Sequence, residues 1–267
     1  MEIKSLKVLR GPNQWASFPC LEAWVDLGRL EDFPSHTIPG FNERIMAWLP
    51  TMIEHRCSIG ERGGFFERLR TGTWMGHVLE HVTLELQTLA GTPVGYGRAR
   101  EANTRGVYKV VIEYKEEAFA IECLHAAHRL IMAAIEDRPC DVAAEVKRLR
   151  KVLLDVQLGP STRSIVEAAA ARGIPSRRLT AGSLVRLGQG AKQRRILAAE
   201  TDQTGAVAET IAQDKDLTRG LLAEAGVPVP EGRPVADAAD ALSVAEEIAV
   251  PVVVKPRYGS QGRGVSV

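Results

Sequence analysis

Two histidines and a glutamate with a defined spacing are the residues of this sequence best suited to chemistry. His77, Glu80 and His81 lie in residues 75–89, where apolar residues repeat at helical spacing. Residues four apart share one face of a helix, so both imidazoles project together and the Glu80 carboxylate lies close to them. Two imidazoles can hold a divalent metal ion, and the carboxylate can take a proton from a water on that ion. The pattern therefore indicates a metal-dependent hydrolytic site.

The order H-x-x-E-H is that of the inverted zincins, and it supplies only two of the three protein ligands that such a site needs. We expect the third ligand to be a carboxylate on a later helix. Glu145 is the best placed candidate, and Glu116, Glu117 and Glu122 are its competitors. Helices with the same spacing also arise by chance, with histidines that are solvated or paired with neighbours, so both interpretations stay open.

A second group, in residues 251–267, has the composition of a phosphate-binding loop. An apolar run flanked by prolines at 252–254 predicts a buried strand, and residues 265–267 predict a second one. Glycines let backbone N–H groups approach phosphate oxygens, and a lysine at a strand end adds positive charge. The residues concerned are Lys255, Gly259, Gly262 and Gly264. The order of residues excludes a Walker loop, but an ordinary hairpin with a glycine-rich turn remains the alternative.

A helix start after residues 158–160 is a weaker candidate site. We predict a helix over 165–172, with Ser161 or Thr162 as its N-cap. Because a capped helix start attracts anions, Ser161 can hold a carboxylate, although a simple cap explains the same residues. The basic segment 187–195 fits either an acidic polymer or a solvated surface.

Composition limits the function classes. The chain has 267 residues, of which 45% are hydrophobic and 25% charged, enough for two globular domains. A net charge of +1 and 5% aromatic residues argue against a nucleic-acid partner or an anionic membrane. With no apolar run of membrane-spanning length and no leader, we expect a cytoplasmic protein. The cysteines lack C-x-x-C spacing, so we expect free thiols rather than a structural zinc cluster: Cys20, Cys57, Cys123 and Cys140.

The elements that position these residues predict an α+β fold with two domains. We expect strands over 2–9, 23–27 and 107–114 and helices over 41–54, 75–89, 116–136 and 142–154 in a first domain, residues 1–157. Residues 158–267 are predicted to form a second domain, with a short strand near 177–179, helices over 206–225 and 236–248, and the glycine-rich hairpin.

Five motifs are more specific in combination than each is alone. They are Thr73-Trp-Met-Gly-His-Val-Leu-Glu-His81, Leu158-Gly-Pro-Ser-Thr-Arg-Ser-Ile165, Gly188-Gln-Gly-Ala-Lys-Gln-Arg-Arg195, Ile211-Ala-Gln-Asp-Lys-Asp-Leu-Thr218 and Val252-Val-Val-Lys-Pro256. The last motif, directly before the glycines, by itself resembles the central strand and phosphate loop of ATP-grasp ligases. Together the five motifs give the chain a close resemblance to the N-terminal portion of the cyanophycin synthetases. The resemblance covers essentially all 267 residues and about the first third of such an enzyme.

This resemblance implies a ligase that uses ATP to add aspartate and arginine to a growing polymer, cyanophycin. Lys215 and Lys255 would bind phosphates, with the loop from Gly259 through Ser260, Gly262 and Gly264 closing over the nucleotide. Ser161 would hold the terminal carboxylate of the polymer, and Glu209 is a weaker candidate on the substrate side. The Mg²⁺ ligands would lie mostly outside this chain.

For the first domain, the resemblance implies polymer binding and, in some family members, zinc-dependent cutting of polymer into primers. Glu80 would then be the general base, with His77, His81 and Glu145 as zinc ligands. The family further implies a homotetramer. The alternative is a glutathione-synthetase-like ATP-grasp module, the front part of a ligase, behind an unrelated N-terminal adaptor.

Overall fold

The first part of the chain folds around a four-stranded antiparallel sheet in the computed structural model, which describes residues 1–57, 59–249, 251–259 and 262–267. The strands are β1 (Glu2–Leu9), β2 (Cys20–Asp26), β3 (Gly97–Glu101) and β4 (Val107–Glu113), in the order β1-β2-β4-β3. Strand β2 alternates, so that Leu21, Ala23 and Val25 are fully buried on one face while Trp24 stands on the other. This alternation fixes the register, in which Ala23 lies opposite Val110.

The described residues of this part of the chain also form five α-helices, of which the third and the fourth contact the sheet. They are α1 (Phe41–Trp48), α2 (Gly64–Thr71), α3 (Met75–Ala90), α4 (Glu117–Ile135) and α5 (Val142–Val156). Helix α3 is central, because it contacts β3 and β4 on one side and α4 and α5 on the others. It ends at Gly91, whose φ of 113° provides the left-handed C-cap that glycine adopts without strain.

Helix α4 is long and apolar enough to cross a membrane by length and composition alone. In this fold it is a core helix: Phe119, Leu124 and Ile131 are fully buried in the cluster shared with α3 and the sheet. Its hydropathy is therefore explained by packing inside the first unit.

The chain divides into two compact units, Met1–Gln157 and Leu158–Val267. The second unit has its own antiparallel sheet, in the order β5-β6-β7-β8, and a small core of Leu158, Val185 and Ile196. Its elements are α6 (Pro160–Ala170), β5 (Ser176–Arg178), β6 (Leu184–Leu187), β7 (Arg194–Leu197), β8 (Glu200–Thr201), α7 (Ala206–Gln213), α8 (Lys215–Glu224) and α9 (Ala238–Ile248).

The α+β class predicted from sequence is confirmed, with corrections to individual elements. The helix expected over 41–54 ends at Trp48, because Pro50 has no N–H to continue it, and a 3₁₀ helix, Pro50–Glu54, follows. Helix α6 begins at Pro160 with Gly159 as its N-cap, so Ser161 and Thr162 lie inside its first turn rather than capping it.

The predicted C-terminal hairpin is reduced to one bridge. Val254 and Ser266 exchange two backbone hydrogen bonds, of 2.9 and 2.8 Å, and neither flanking run forms a strand in the described residues. Val253 and Val254 are 55% and 42% exposed, so the expected burial is wrong. Pro251 and Pro256 have no N–H to donate, which limits the ladder on both sides of the bridge.

Replacing Leu124 by alanine tests the core of the first unit. We expect Leu124→Ala to lower the free energy of unfolding by about 2–5 kcal/mol, because the side chain is fully buried. Urea titration followed by tryptophan fluorescence reports this unit specifically, since all four tryptophans (15, 24, 48 and 74) lie in it. Leu154→Ala, at a side chain that is 68% exposed, is the matched control. Equal losses in the two variants would contradict the described core.

Candidate functional site

Helix α3 places the two motif histidines side by side. The rings of His77 and His81 meet edge to face, with centroids 4.7 Å apart. Phe65 of α2 stacks on His81 at 4.2 Å and contacts His77 at 5.8 Å, so the phenyl ring restricts both imidazoles. The predicted one-face arrangement of these histidines is therefore present in the structure.

A cysteine that sequence reasoning did not assign completes the group. Cys57 lies in the loop after the 3₁₀ helix, and its Sγ is 3.1 Å from Nε2 of His77. One ligand atom each from Cys57, His77 and His81 lies within 4.8 Å of the other two, and this is the sole group of its kind in the residues described. The loop passes so close to α2 that a Cβ at Gly64 would overlap the Cys57 carbonyl oxygen.

The donor set fits a zinc ion. One thiolate and two imidazoles are three protein ligands of the type used by catalytic zinc sites, which leave a fourth position for water or substrate. Burial lowers the pKa of His77 to about 4, with a smaller effect from Arg68. Burial also lowers the pKa of His81 well below its usual value, and the neighbouring His77 and His55 act in the same direction. Both rings are therefore neutral near pH 7 and keep a lone pair for a metal.

Glu80 lies beside this group and is buried. Its Oε1 is 4.0 Å from Nε2 of His81, and burial raises its pKa to about 8, against the opposing effect of Arg98. Strand β3 makes room for the carboxyl, because a Cβ at Gly97 would stand 2.5 Å from both Cγ and Oε1 of Glu80. A pKa near neutrality suits a group that exchanges protons during catalysis.

Polar side chains behind the histidines form an outer layer. Thr73 Oγ1 lies 2.9 Å from Nδ1 of His77. On the other side, Nδ1 of His55 is 2.8 Å from Nδ1 of His81, and Nε2 of His55 is 2.9 Å from Oε2 of Glu85. Metal-binding histidines commonly have such partners on the ring nitrogen that faces away from the ion.

The structure does not bring Glu145, the predicted third ligand, to the histidines. Its Oε1 accepts hydrogen bonds from Arg129 at 2.6 Å and Arg148 at 3.0 Å, between helices α4 and α5. Burial alone would raise the pKa of Glu145, but the hydrogen bonds from Arg148 and Arg129 outweigh it and lower the pKa. Glu122 is paired with the same Arg148. These carboxylates form ion pairs, and Cys57 is the residue that lies together with the two histidines.

In the second unit, the start of α8 is hydrogen-bonded to the residues that directly precede the glycine-rich segment. The Asp214 carboxylate caps α8 and accepts hydrogen bonds from Arg257 at 2.8 and 2.6 Å and from the Tyr258 hydroxyl at 3.2 Å. The Arg257 guanidinium holds the pKa of Asp214 well below its usual range. Lys215 Nζ donates to the carbonyl oxygens of Gly259 at 2.7 Å and Arg257 at 3.3 Å. Lys215 and the loop predicted from sequence therefore do meet.

The other predicted residues of this unit lie in different settings. Gly259, Gly262 and Gly264 all have positive φ angles, of 114°, 71° and 71°, which glycine adopts most readily, and Ser260 is outside the described residues. Lys255 next to the bridge and Ser161 in the first turn of α6 are exposed, whereas Glu209 on α7 is partly buried. Glu209 Oε1 accepts a hydrogen bond from Gln213 at 2.8 Å.

Comparison with known proteins relates both units to one kind of enzyme. Residues 22–136 match a family described as the cyanophycin synthase-like N-terminal domain, and residues 214–267 match the ATP binding domain of the carbamoyl-phosphate synthase L chain. Cyanophycin synthetases of Geminocystis herdmanii, Trichormus variabilis and Nostoc sp. are each 41% identical over 273 aligned residues, which cover 100% of the chain. The chain spans 30–31% of the length of these relatives.

The order of the two matches along the chain agrees with the order of the two units. By these similarities the chain belongs with the cyanophycin synthetases and corresponds to their N-terminal region, a cyanophycin synthase-like domain followed by the start of an ATP-grasp domain.

Proposed function

We propose that this chain is the N-terminal part of an ATP-dependent ligase that builds a polymer of aspartate and arginine. The observation that supports this most strongly is the 41% identity to cyanophycin synthetases along the entire chain. Activation of a carboxylate as an acyl phosphate requires groups that hold the phosphates of ATP. Lys215, Lys255 and the glycine-rich segment have the charge and backbone freedom for that role.

The substrate side of the ligase is proposed at Ser161 and Glu209, with Ser161 holding the terminal carboxylate of the polymer. Ser161 is exposed in the first turn of α6, where backbone N–H groups have no partner within the helix. The alternative ligase, with an unrelated N-terminal adaptor, is less well supported, because residues 22–136 themselves match the cyanophycin synthase-like domain.

Replacing Lys255 by alanine tests the phosphate role in a full-length protein that contains this region. We expect Lys255→Ala to lower ATP-dependent aspartate addition by about 100-fold, the usual order for losing one charge-stabilising donor. Radiolabelled aspartate incorporation into polymer gives the rate. Lys147→Ala, at an exposed lysine of α5, is the charge-matched control. Wild-type incorporation by the Lys255 variant would remove Lys255 from the nucleotide site.

We propose a second function for the first unit. In this proposal the unit acts as a metal-dependent hydrolase that cuts amide bonds of the polymer. It is supported by the convergence of Cys57, His77 and His81 beside the buried Glu80. A zinc ion held by these three residues would supply Lewis-acid polarisation of the carbonyl and of the attacking water. Glu80 would exchange a proton with the reacting groups, and the absence of a side chain at Gly97 leaves space for its carboxyl.

Zinc content distinguishes the ligand sets. We expect about one zinc per purified chain, lost in Cys57→Ala and His77→Ala because each removes one donor, and retained in Glu145→Ala. Elemental analysis after dialysis measures it, and circular dichroism checks that each variant is folded. Loss of zinc in the Glu145 variant with retention in the Cys57 variant would restore the carboxylate as the third ligand.

Replacing Glu80 by glutamine separates metal binding from cutting. We expect Glu80→Gln to keep its zinc and to lose polymer cleavage by at least about 100-fold, because the amide cannot accept the proton. Chain-length analysis of an aspartate–arginine polymer by gel electrophoresis gives the cleavage rate. Glu43→Gln, on helix α1, controls for the change in charge. Full cleavage by the Glu80 variant would exclude this carboxyl as the proton-exchanging group.

A further inference from the structure

A line of hydrogen bonds leads from the surface to one of the two histidines. The Thr51 hydroxyl donates to Oε1 of Glu85, Oε2 of Glu85 lies 2.9 Å from Nε2 of His55, and Nδ1 of His55 lies 2.8 Å from Nδ1 of His81. Glu85 is one helical turn beyond His81 on α3, and its side chain is 4% exposed. His55 directly follows the 3₁₀ helix that contains Thr51.

With Glu85 as a carboxylate and His55 as a neutral imidazole, the donors and acceptors in this line run in one direction. A carboxylate has no proton to donate, so Glu85 accepts from the Thr51 hydroxyl and from the Nε2–H of His55. A neutral His55 that carries its proton on Nε2 has a bare Nδ1, which must accept. Nδ1 of His81 is therefore the donor, and Nε2 of His81 keeps its lone pair.

His77 has no such constraint. Its Nδ1 faces the hydroxyl of Thr73, and a hydroxyl can either donate or accept. The contact with Thr73 thus permits both tautomers of His77. The hydrogen bonds that reach His81, by contrast, start from the Glu85 carboxylate, which can only accept. The two histidines of the motif differ in what orients them.

We propose that Glu85 and His55 are positioning residues that hold His81 in its Nδ1–H tautomer, which leaves the lone pair of the ring on Nε2. The use of that lone pair as a ligand rests on the metal centre proposed above, while the tautomer itself is a property of the metal-free chain. Outer residues of this kind typically change metal affinity by 10–100-fold when they are removed.

Nitrogen-15 NMR of the imidazole rings in the metal-free 267-residue chain tests the tautomer. We expect His81 in the Nδ1–H form and His55 in the Nε2–H form. Glu85→Gln keeps the size of the side chain but can both donate and accept, so we expect His81 to become a mixture of tautomers. Thr51→Val removes one donor to Glu85 but leaves the carboxylate as an acceptor, so the wild-type tautomers should persist.

Zinc affinity, measured by competition with a chromophoric chelator, supplies the second readout. We expect Glu85→Gln to weaken Zn²⁺ binding by about 10–100-fold and Thr51→Val by less than about 3-fold. A wild-type His81 in the Nε2–H form, or a single unchanged tautomer in Glu85→Gln, would overturn the proposal. If the wild-type chain binds no zinc while His81 is in the Nδ1–H form, the metal centre fails and the tautomer assignment stands.

Discussion

Burial of helix α3 on nearly all sides is the constraint on which the first unit depends. A helix in that position must pack apolar side chains against both the sheet and other helices, as Val78, Leu79 and Val82 do. Polar groups on such a helix lose water and require partners inside the protein. His81 and Glu85 lie on this helix, and each contacts His55 from the preceding loop. The hydrophobic core and the candidate site are therefore parts of one packing arrangement.

The same burial determines the charge of the site. Without metal, His77 is neutral at pH 7, and Glu80, with a pKa raised to about 8, holds its proton for most of the time. A shift of one pKa unit corresponds to about 1.4 kcal/mol, so the low pKa of His77 disfavours its protonated form by roughly 3 kcal/mol. A divalent cation would bring positive charge next to these neutral groups, where it favours the thiolate and carboxylate forms. The pocket is thus suited to a cation with anionic ligands and poorly suited to a protonated imidazole.

Long elements with strong apolar periodicity were predictable from the sequence. Of the candidate site, the residues that lie on such an element were predictable, and the residue in a loop was not. Helix α3 and the pairing of His77 with His81 follow from the 3.6-residue repeat of apolar residues. Strand β3, Gly97–Glu101, was missed because it is a short edge strand composed mainly of glycine and charged residues. Cys57 was missed because it lies in an irregular loop, 20 residues before His77, where no periodic pattern applies. Sequence spacing also cannot show that Arg129 and Arg148 stand beside Glu145.

The loop that contains Cys57 connects to helix α3 through side chains at the candidate centre rather than through a continuous element. An ion bound by Cys57, His77 and His81 would therefore join two positions of the folded chain that are 20 residues apart in sequence. Binding restricted to the folded state adds about 2.7 kcal/mol of stability when the free ion is at 100 times its dissociation constant. The thermal stability of the first unit would then depend on the concentration of free ion, independently of any chemistry at the centre.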